Sequence, residues 1–416
     1  MSPSIDSLLN SLKHQGVDLG LERITSLLAH FAYPHLQVPI IHVAGTNGKG
    51  SVCAYLSSIL SKAGYRVGLY TSPHLVEWNE RISINTKPIS TPELTTSIID
   101  VLDVSQRESI NLTQFEVITA AAWIYFAGQK LDLAVIEVGL GGRLDATNIV
   151  PHPLATVITS ISRDHWQFLG TTLADIAREK AGILKPQCPA IVGELPEDAE
   201  KVVLKKTQEL ECPTIWVKPA HRIGENWAQW QDLTYSLPLL GDVQLMNSAL
   251  AIATVRVLSE KGWNIPDTAI SSGISSTSWP GRLQWLNWKD TPILIDGAHN
   301  EASAQALRRY VDSLNRPLHW VIGMLASKDH QTIFTALLSE GDQLSLVPVP
   351  DNDSADLDSL ASLAQSICPR LNQINIYRDI NLALEEINPR ETLVVLSGSL
   401  YLVGYFFASV DQLTQS

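Results

Sequence analysis

At 416 residues, 45% of them hydrophobic and 18% charged, the chain is globular rather than disordered and longer than one core usually supports, so two domains are expected. The 30 basic against 43 acidic residues leave a formal charge of −13, which argues against a nucleic-acid or anionic-membrane surface while allowing a local basic pocket. Cys53, Cys188, Cys212 and Cys368 form no C-x-x-C pair, Met1–Lys13 is polar without an apolar secretory run, and no stretch reaches the length of a membrane span. Free thiols in a soluble, cytoplasmic protein are expected.

In chain order, buried-strand candidates rich in Val and Ile fall at Ile40–Ala44, Val67–Thr71, Leu133–Val138, Ala155–Thr159 and Ala190–Gly193. Helical periodicity occupies Val52–Ala63, Glu116–Gln129 and Leu173–Gly182 between them. Alternation of this kind predicts a mostly parallel sheet covered by helices. Over Ala220–Val243 the pattern loosens, and Trp227, Trp230 and Tyr235 in short polar stretches predict an antiparallel hairpin; Met246–Lys261 restores a helical period. Ser275–Arg282, Ser/Thr-rich and ending in Pro-Gly-Arg, reads as a linker. The alternation then restarts, with strands at Ile293–Asp296, His319–Gly323, Leu344–Val349, Ile374–Tyr377 and Thr392–Ser397. Helices fit Glu301–Leu314, His330–Leu338, Ser354–Ile367, Asn381–Ile387 and Leu400–Leu413. Such a run of β/α units makes a doubly wound domain, whose ligands sit beyond the carboxyl ends of the strands. The expected fold class is α/β: a P-loop-type N-terminal domain with a mostly parallel sheet (1–280), a linker (281–289) and a smaller Rossmann-like α/β C-terminal domain (290–416).

Gly45-Thr46-Asn47-Gly48-Lys49-Gly50-Ser51 carries the clearest chemistry. Its glycines let the backbone curl so that N–H groups converge on an anion, the following helix adds the positive end of its dipole, and Lys49 adds a full charge. Phosphate binding is the direct reading, although Val43, and the Gly50 that separates Lys49 from Ser51, depart from the strict G-x-x-x-x-G-K-[ST] pattern. Ser72 and its neighbours end the second strand with hydroxyls that could ligate a metal, touch a phosphate or form a plain turn. Glu137 lies inside an apolar run at a strand end, where a carboxylate needs a metal, an arginine or backbone donors. The loop Gly139–Asn148 after it allows close backbone approach and carries Arg143 and Asp145. His165 ends another strand as a metal ligand, an acid–base group or a structural imidazole, although hard Mg²⁺ prefers oxygen donors. Lys180 reads as a solvated helical lysine. Asp296-Gly297-Ala298-His299-Asn300 closes the first strand of the second domain and opens a helix, a ligand-contacting position; Lys328-Asp329 follows the next strand. Either could merely cap a helix.

Taken together, these segments resemble the folylpolyglutamate synthase/dihydrofolate synthase family, a branch of the Mur ligase superfamily. The matching segments are Gly45–Ser51, Thr71–Leu75, Thr113–Glu116 with Ala120–Ala122, Glu137–Asn148, Asp164–Gly170 through Lys185, Pro280–Arg282, Asp296–Asn300 and Gly398–Leu400. They occur in the family's order and span almost the whole chain; Glu137–Asn148 and Glu179–Pro186 are the most specific. The resemblance implies an ATP-dependent amide ligase that joins L-glutamate to dihydropteroate, to the γ-carboxylate of a folate, or to both, through an acyl phosphate. It implies that Asn47, Gly48, Lys49, Gly50 and Ser51 wrap the ATP phosphates and that Asn247, Arg282 and Asp296 reach the nucleotide. Two Mg²⁺ ions are implied, one on Ser51 and a second on Ser72, Glu137 and His165. Lys180 would be a carbamylated lysine, Thr113, Phe115 and Asp145 the folate contacts, and His299 with Ser399 the glutamate contacts. Lys49, Lys180, His165 and His299 would form the catalytic set, in a cleft that closes at each turnover. Arg163 and Ser327 depart from the residues usual in the family, and the second leaves the role of Lys328 open. A bifunctional monomer with small-molecule partners is expected.

Two rival readings share the phosphate loop. A small-molecule kinase or NTPase would leave the Gly139–Asn148 loop and the second α/β domain without a task. A Mur-type ligase acting on a cell-wall nucleotide shares the core logic, but Gly50 before Ser51 and the Glu179–Pro186 string side with the folate branch.

Overall fold

The computed structural model describes residues 4–10, 12, 16–289, 291–387 and 392–415, so Met1–Pro3, Ser11 and Lys13 of the N-terminal segment lie outside the described residues. The chain divides into two units. One comprises Met1–Ser162, Trp166–Pro238 and Gln244–Ser278; the other comprises Arg163–His165, Leu239–Val243 and Trp279–Ser416. No helix among the described residues is long and apolar enough to cross a membrane.

The first unit is built on β1 (Ile40–Ala44), β2 (Val67–Tyr70), β3 (Ile82–Ile84), β4 (Lys87–Pro88), β5 (Leu133–Glu137), β6 (Ala155–Ile158), β7 (Ala190–Val192) and β8 (Thr214–Trp216). They form one sheet in the order β4-β3-β2-β5-β1-β6-β7-β8. All neighbours are parallel except β2–β3 and β3–β4. Every residue of β1, β5 and β6 is buried, which explains their near-continuous apolar composition. Because successive strands are laid to both sides of β1, its carboxyl end is a switch point where the connections diverge and a ligand can enter. The helix Lys49–Lys62 that follows β1 is buried from Gly50 to Leu60 and packs on the helix Asp267–Ser275. Gly273 permits that approach, since a Cβ there would stand 2.4 Å from the Cα of Ile59.

Beside this sheet, helices Thr91–Arg107 and Gln114–Gly128 cover a core that includes Leu94, Ile98, Trp123 and Phe126. Both open with a capping box, Ser90 with Glu93 and Thr113 with Glu116. The expected hairpin over Ala220–Val243 is a separate three-stranded antiparallel sheet of β9 (His221–Gly224), β10 (Trp227–Trp230) and β11 (Leu233–Ser236). Ala228 and Trp230 face inward on β10 while Trp227 faces out, the alternation of a one-sided strand.

The second unit carries β12 (Gln284–Trp288), β13 (Thr291–Ile295), β14 (Leu318–Ile322), β15 (Gln343–Leu346), β16 (Gln373–Ile376) and β17 (Leu393–Ser397), ordered β12-β13-β17-β14-β15-β16. All pairs are parallel except β12–β13. The stretch 281–289 is therefore not a free linker: most of it is an antiparallel edge strand, paired with β13 from Gln284 to Trp288. Alternation on β12 leaves Trp285 exposed and buries Trp288, a strand pattern that the Ser/Thr/Pro/Gly run before it obscured. Helix Glu197–Glu209, absent from the sequence reading, buries only the narrow stripe Ala199, Val203 and Thr207. If β12 belongs to the folded second unit, Trp288→Ala should lower its stability by about 3 kcal/mol in urea titration. An unchanged midpoint would return 281–289 to a linker.

Candidate active site

In the first unit the site begins at the end of β1. Gly45, at φ +152°, allows no side chain, because a Cβ there would stand 1.9 Å from Thr159 Oγ1. The loop is strapped to the segment after β6. Thr46 N donates to Ser160 O at 2.8 Å and Asn47 N to Ser160 Oγ at 3.0 Å, while Asn47 O accepts from Thr159 Oγ1 at 2.7 Å. The amides of Thr46 and Asn47 thus set the curl of the loop. The donors offered to an anion are those of the following helix, whose first turn Lys49–Ser51 has amides left unpaired by helix geometry and whose cap, Gly48, is left-handed at φ +87°. Lys49 Nζ lies over the loop, donating to Gly45 O at 3.1 Å and Thr46 O at 3.2 Å.

Lys180 is not the solvated lysine its helical context suggested. It is buried at the end of helix Leu173–Lys180, and its Nζ donates to Gly45 O at 2.8 Å, so a second amine reaches the phosphate loop. Helix Val243–Glu260 supplies Asn247 and Gln244. A Cβ on Gly48 would stand 2.4 Å from Asn247 Oδ1, Asn247 Nδ2 donates to Gln244 Oε1 at 3.1 Å, and Gln244 Nε2 donates to Ser51 Oγ at 3.4 Å. Gln244 was not singled out from sequence; a buried Gln one helical turn before Asn247 was the available signal.

At the end of β5, buried Glu137 accepts a hydrogen bond from Ser72 N at 3.2 Å, bringing those two candidates together. Burial pushes the Cys53 thiol well up, Glu137 adds to that and Lys49 opposes it, so both charges act on one point of the helix Lys49–Lys62. Beyond Glu137, Phe115 lies against Gly139, where a Cβ would stand 2.3 Å from its ring. Tyr70 is 6.3 Å away between ring centroids. Thr113 is committed to its helix cap: its hydroxyl donates to Glu116 Oε2 at 2.9 Å, and Glu116 is paired with Arg23 Nε at 3.0 Å. Asp145 is buried and accepts from Leu140 N at 2.8 Å, Thr147 N at 3.0 Å and Thr147 Oγ1 at 2.5 Å. Burial pushes its carboxyl up, while these donors hold it down.

In the second unit, Asp296 follows β13 and accepts from Leu283 N at 2.9 Å and Ala298 N at 2.8 Å. Burial raises its carboxyl, and the charge of Arg282 opposes that most strongly. The loops after β13 and β17 are joined by Gly398 N donating to Ala298 O at 3.1 Å, one residue before Ser399 and His299 respectively. Ser399 Oγ accepts from Tyr401 N at 3.1 Å at the start of helix Leu400–Gln415. His299 Nδ1 donates to Gly297 O at 2.8 Å, and its Nε2 lies 3.3 Å from Asp164 Oδ2. Asp164 also accepts from Lys328 Nζ at 2.8 Å and Asn300 Nδ2 at 3.1 Å. Burial alone would raise its carboxyl, but the hydrogen bond and charge of His299, with His165 and Lys328, hold it well below the usual carboxylate range. Lys328, whose role the sequence left open, is an ion-pair partner of Asp164, and Asp329 caps the helix that follows, accepting from Thr332 N. Asp164 was missed as a hub because its partners lie far along the chain.

The implied metal set draws on both units: Ser51, Ser72 and Glu137 in the first, His165 in the second. Among the described residues no group of three or more His, Cys, Asp or Glu side chains gathers as a metal cage. Ser51, Ser72 and Glu137 offer oxygens, the donors Mg²⁺ prefers, and a site with one carboxylate completed by substrate phosphates is its usual mode. The residues fit that cation.

A strapped phosphate loop with two amines over it, and a buried carboxylate beside it, defines an ATP-using enzyme. Comparison with known proteins agrees. Residues 43–255 match the Mur ligase middle domain and residues 282–408 the C-terminal domain of dihydrofolate synthetase. The chain is 35% identical over 419 residues to a probable dihydrofolate synthetase of Schizosaccharomyces pombe, covering 95% of this chain and 99% of that one. It is 37% identical over 346 residues to the dihydrofolate synthase/folylpolyglutamate synthase of Bacillus subtilis, covering 77% and 79%. The fold matches the structure of E. coli FolC in complex with DHPP and ADP, with a TM-score of 0.84 and 31% identity over 99% of this chain and 97% of that one. The chain belongs to the dihydrofolate synthase/folylpolyglutamate synthase family of Mur-type ATP-dependent ligases. The kinase reading is set aside.

Gly48→Ala adds a Cβ against Asn247 and forces a non-glycine residue to φ +87°, a strain of about 1–3 kcal/mol. The KM for ATP should rise roughly tenfold or more. A KM equal to that of the parent enzyme would show that Gly48 is not needed for the cradle.

Proposed function

We propose that this ligase adds L-glutamate both to dihydropteroate and to the γ-carboxylate of tetrahydrofolate. The observation that supports the ligase chemistry most is the meeting of the phosphate loop with Lys49, Lys180 and, at the next strand end, Glu137. A carboxylate is a poor acylating agent. It must attack the γ-phosphorus of ATP, releasing ADP and forming an acyl phosphate; the glutamate amine then attacks the carbonyl carbon and expels orthophosphate, losing a proton. Both steps crowd anions together, so positioned cations and oriented amides dominate catalysis. Asn47, Gly48, Lys49, Gly50 and Ser51 wrap the phosphates, with Asn247 beside them; Arg282 and Asp296 are nucleotide contacts in the same reading. Ser51, Ser72, Glu137 and His165 would hold Mg²⁺ at two sites, and the ions when bound supply charge to the phosphoryl and acyl oxygens. Phe115 offers a face for a pterin and Asp145 a carboxylate for its N–H donors. His299 and Ser399 receive glutamate.

We further propose that Lys180 is carbamylated: its neutral amine adds CO₂ and releases a proton, turning a buried ammonium into a carboxylate near the metal. A cytoplasmic monomer, acting on small molecules alone, completes the reading.

Dihydropteroate and tetrahydrofolate assayed side by side should both yield an amide, with ADP release that requires glutamate. Lys49→Ala should lower turnover on both by roughly a hundredfold or more. Turnover of only one acceptor would remove the double activity, and a phosphorylated product without amide would remove the ligase reading.

A further inference from the structure

His42 lies in the middle of β1, three residues before Gly45, and is 1% exposed. An apolar side chain would pack there at lower cost, because a buried polar group must find a partner. Its partner is Thr147: His42 Nε2 lies 2.9 Å from Thr147 Oγ1, which lies 2.5 Å from Asp145 Oδ1. The directions of these bonds can be assigned. A carboxylate only accepts, so the single hydroxyl proton of Thr147 goes to Asp145, and His42 must therefore donate from Nε2. Burial, with the charge of Lys185 adding to it, lowers the His42 pKa to about 3, so the ring stays neutral at physiological pH and keeps this one donor.

We propose that His42 is a positioning residue for the pterin-bearing acyl donor, acting through the Thr147 hydroxyl to fix the orientation of the Asp145 carboxylate. The chain of donors runs from the strand that ends in the phosphate loop to the loop whose Gly139 faces Phe115. One hydrogen-bonded path thus ties the elements serving phosphate and pterin. Without it, Asp145 keeps its amide donors from Leu140 and Thr147 but loses the group that sets the hydroxyl. Chains of this kind strengthen their members and tolerate little misplacement. The proposal rests on the reading of Asp145 as a pterin contact, and its test separates the two.

Steady-state kinetics with dihydropteroate, glutamate and ATP on His42→Leu, His42→Gln, Thr147→Val and Asp145→Asn, each with a thermal melt, make that test. His42→Leu and Thr147→Val should raise the KM for dihydropteroate roughly tenfold, as expected when one partner of a buried hydrogen bond is removed, and leave the KM for ATP within about twofold. His42→Gln, which retains an N–H donor, should recover most of the loss. Thr147→Val keeps the volume of the side chain and serves if His42→Leu does not fold. Equal changes in both KM values, or a lower melting temperature with no change in either KM, would make the chain structural only and overturn the proposal. If Asp145→Asn raises the KM for dihydropteroate and the other variants do not, the proposal alone falls. If Asp145→Asn leaves it unchanged, the pterin reading and the proposal fall together.

Discussion

The rest of the molecule is arranged around one requirement: a polyphosphate must be met by backbone N–H groups at the end of a buried strand. Such a cradle needs a curl that side chains would block, and the clash at Gly45 with Thr159 is the direct sign of it. A curled loop would be loose by itself. Thr159, Ser160 and Ser162 tie it down from the neighbouring strand end, with Thr46 Oγ1 donating to Ser162 O at 3.1 Å. Because β1 is flanked by β5 and β6, the end of β6 holds the loop while the end of β5 delivers Glu137. The fold contributes position, and the loop contributes charge without needing many charged residues.

That economy explains how a chain with a net charge of −13 can bind an anion. Screening confines the effect of surface charge to about 10 Å at ordinary ionic strength, whereas amides and a positioned ammonium act at contact distance. Lys49 is held over the loop by its own carbonyls. In the second unit the polarity is reversed. The buried anion Asp164 gathers His299, Lys328 and Asn300, so that N–H donors are ordered around a fixed negative centre. Removing such a partner would strand the remaining charges, which is why buried ionic groups occur in satisfied sets.

Much of this was legible in the sequence where the signal is local. β1 is bounded by residues whose composition matches complete burial, and the parallel strands of the second unit fall within a few residues of their apolar runs. Glu137 stood out because a carboxylate inside an apolar run is costly wherever it lies. What stayed hidden depends on distant parts of the chain. Lys180 looked solvated because periodicity along eight residues of helix cannot reveal that its last turn abuts the phosphate loop. The Thr-x-x-Glu spacing at 113–116 marks the capping box that opens helix Gln114–Gly128, a local signal. β12 was lost to the turn-forming residues before it, and the Asp164–Lys328 pair spans 164 positions that no local pattern can connect.

The central claim is that these groups exist to turn a carboxylate into an acyl phosphate. The most direct measurement uses dihydropteroate with ¹⁸O in its carboxylate and follows the label into liberated orthophosphate by mass spectrometry. One labelled oxygen should appear in phosphate for each amide formed. Amide formation with unlabelled phosphate would contradict it.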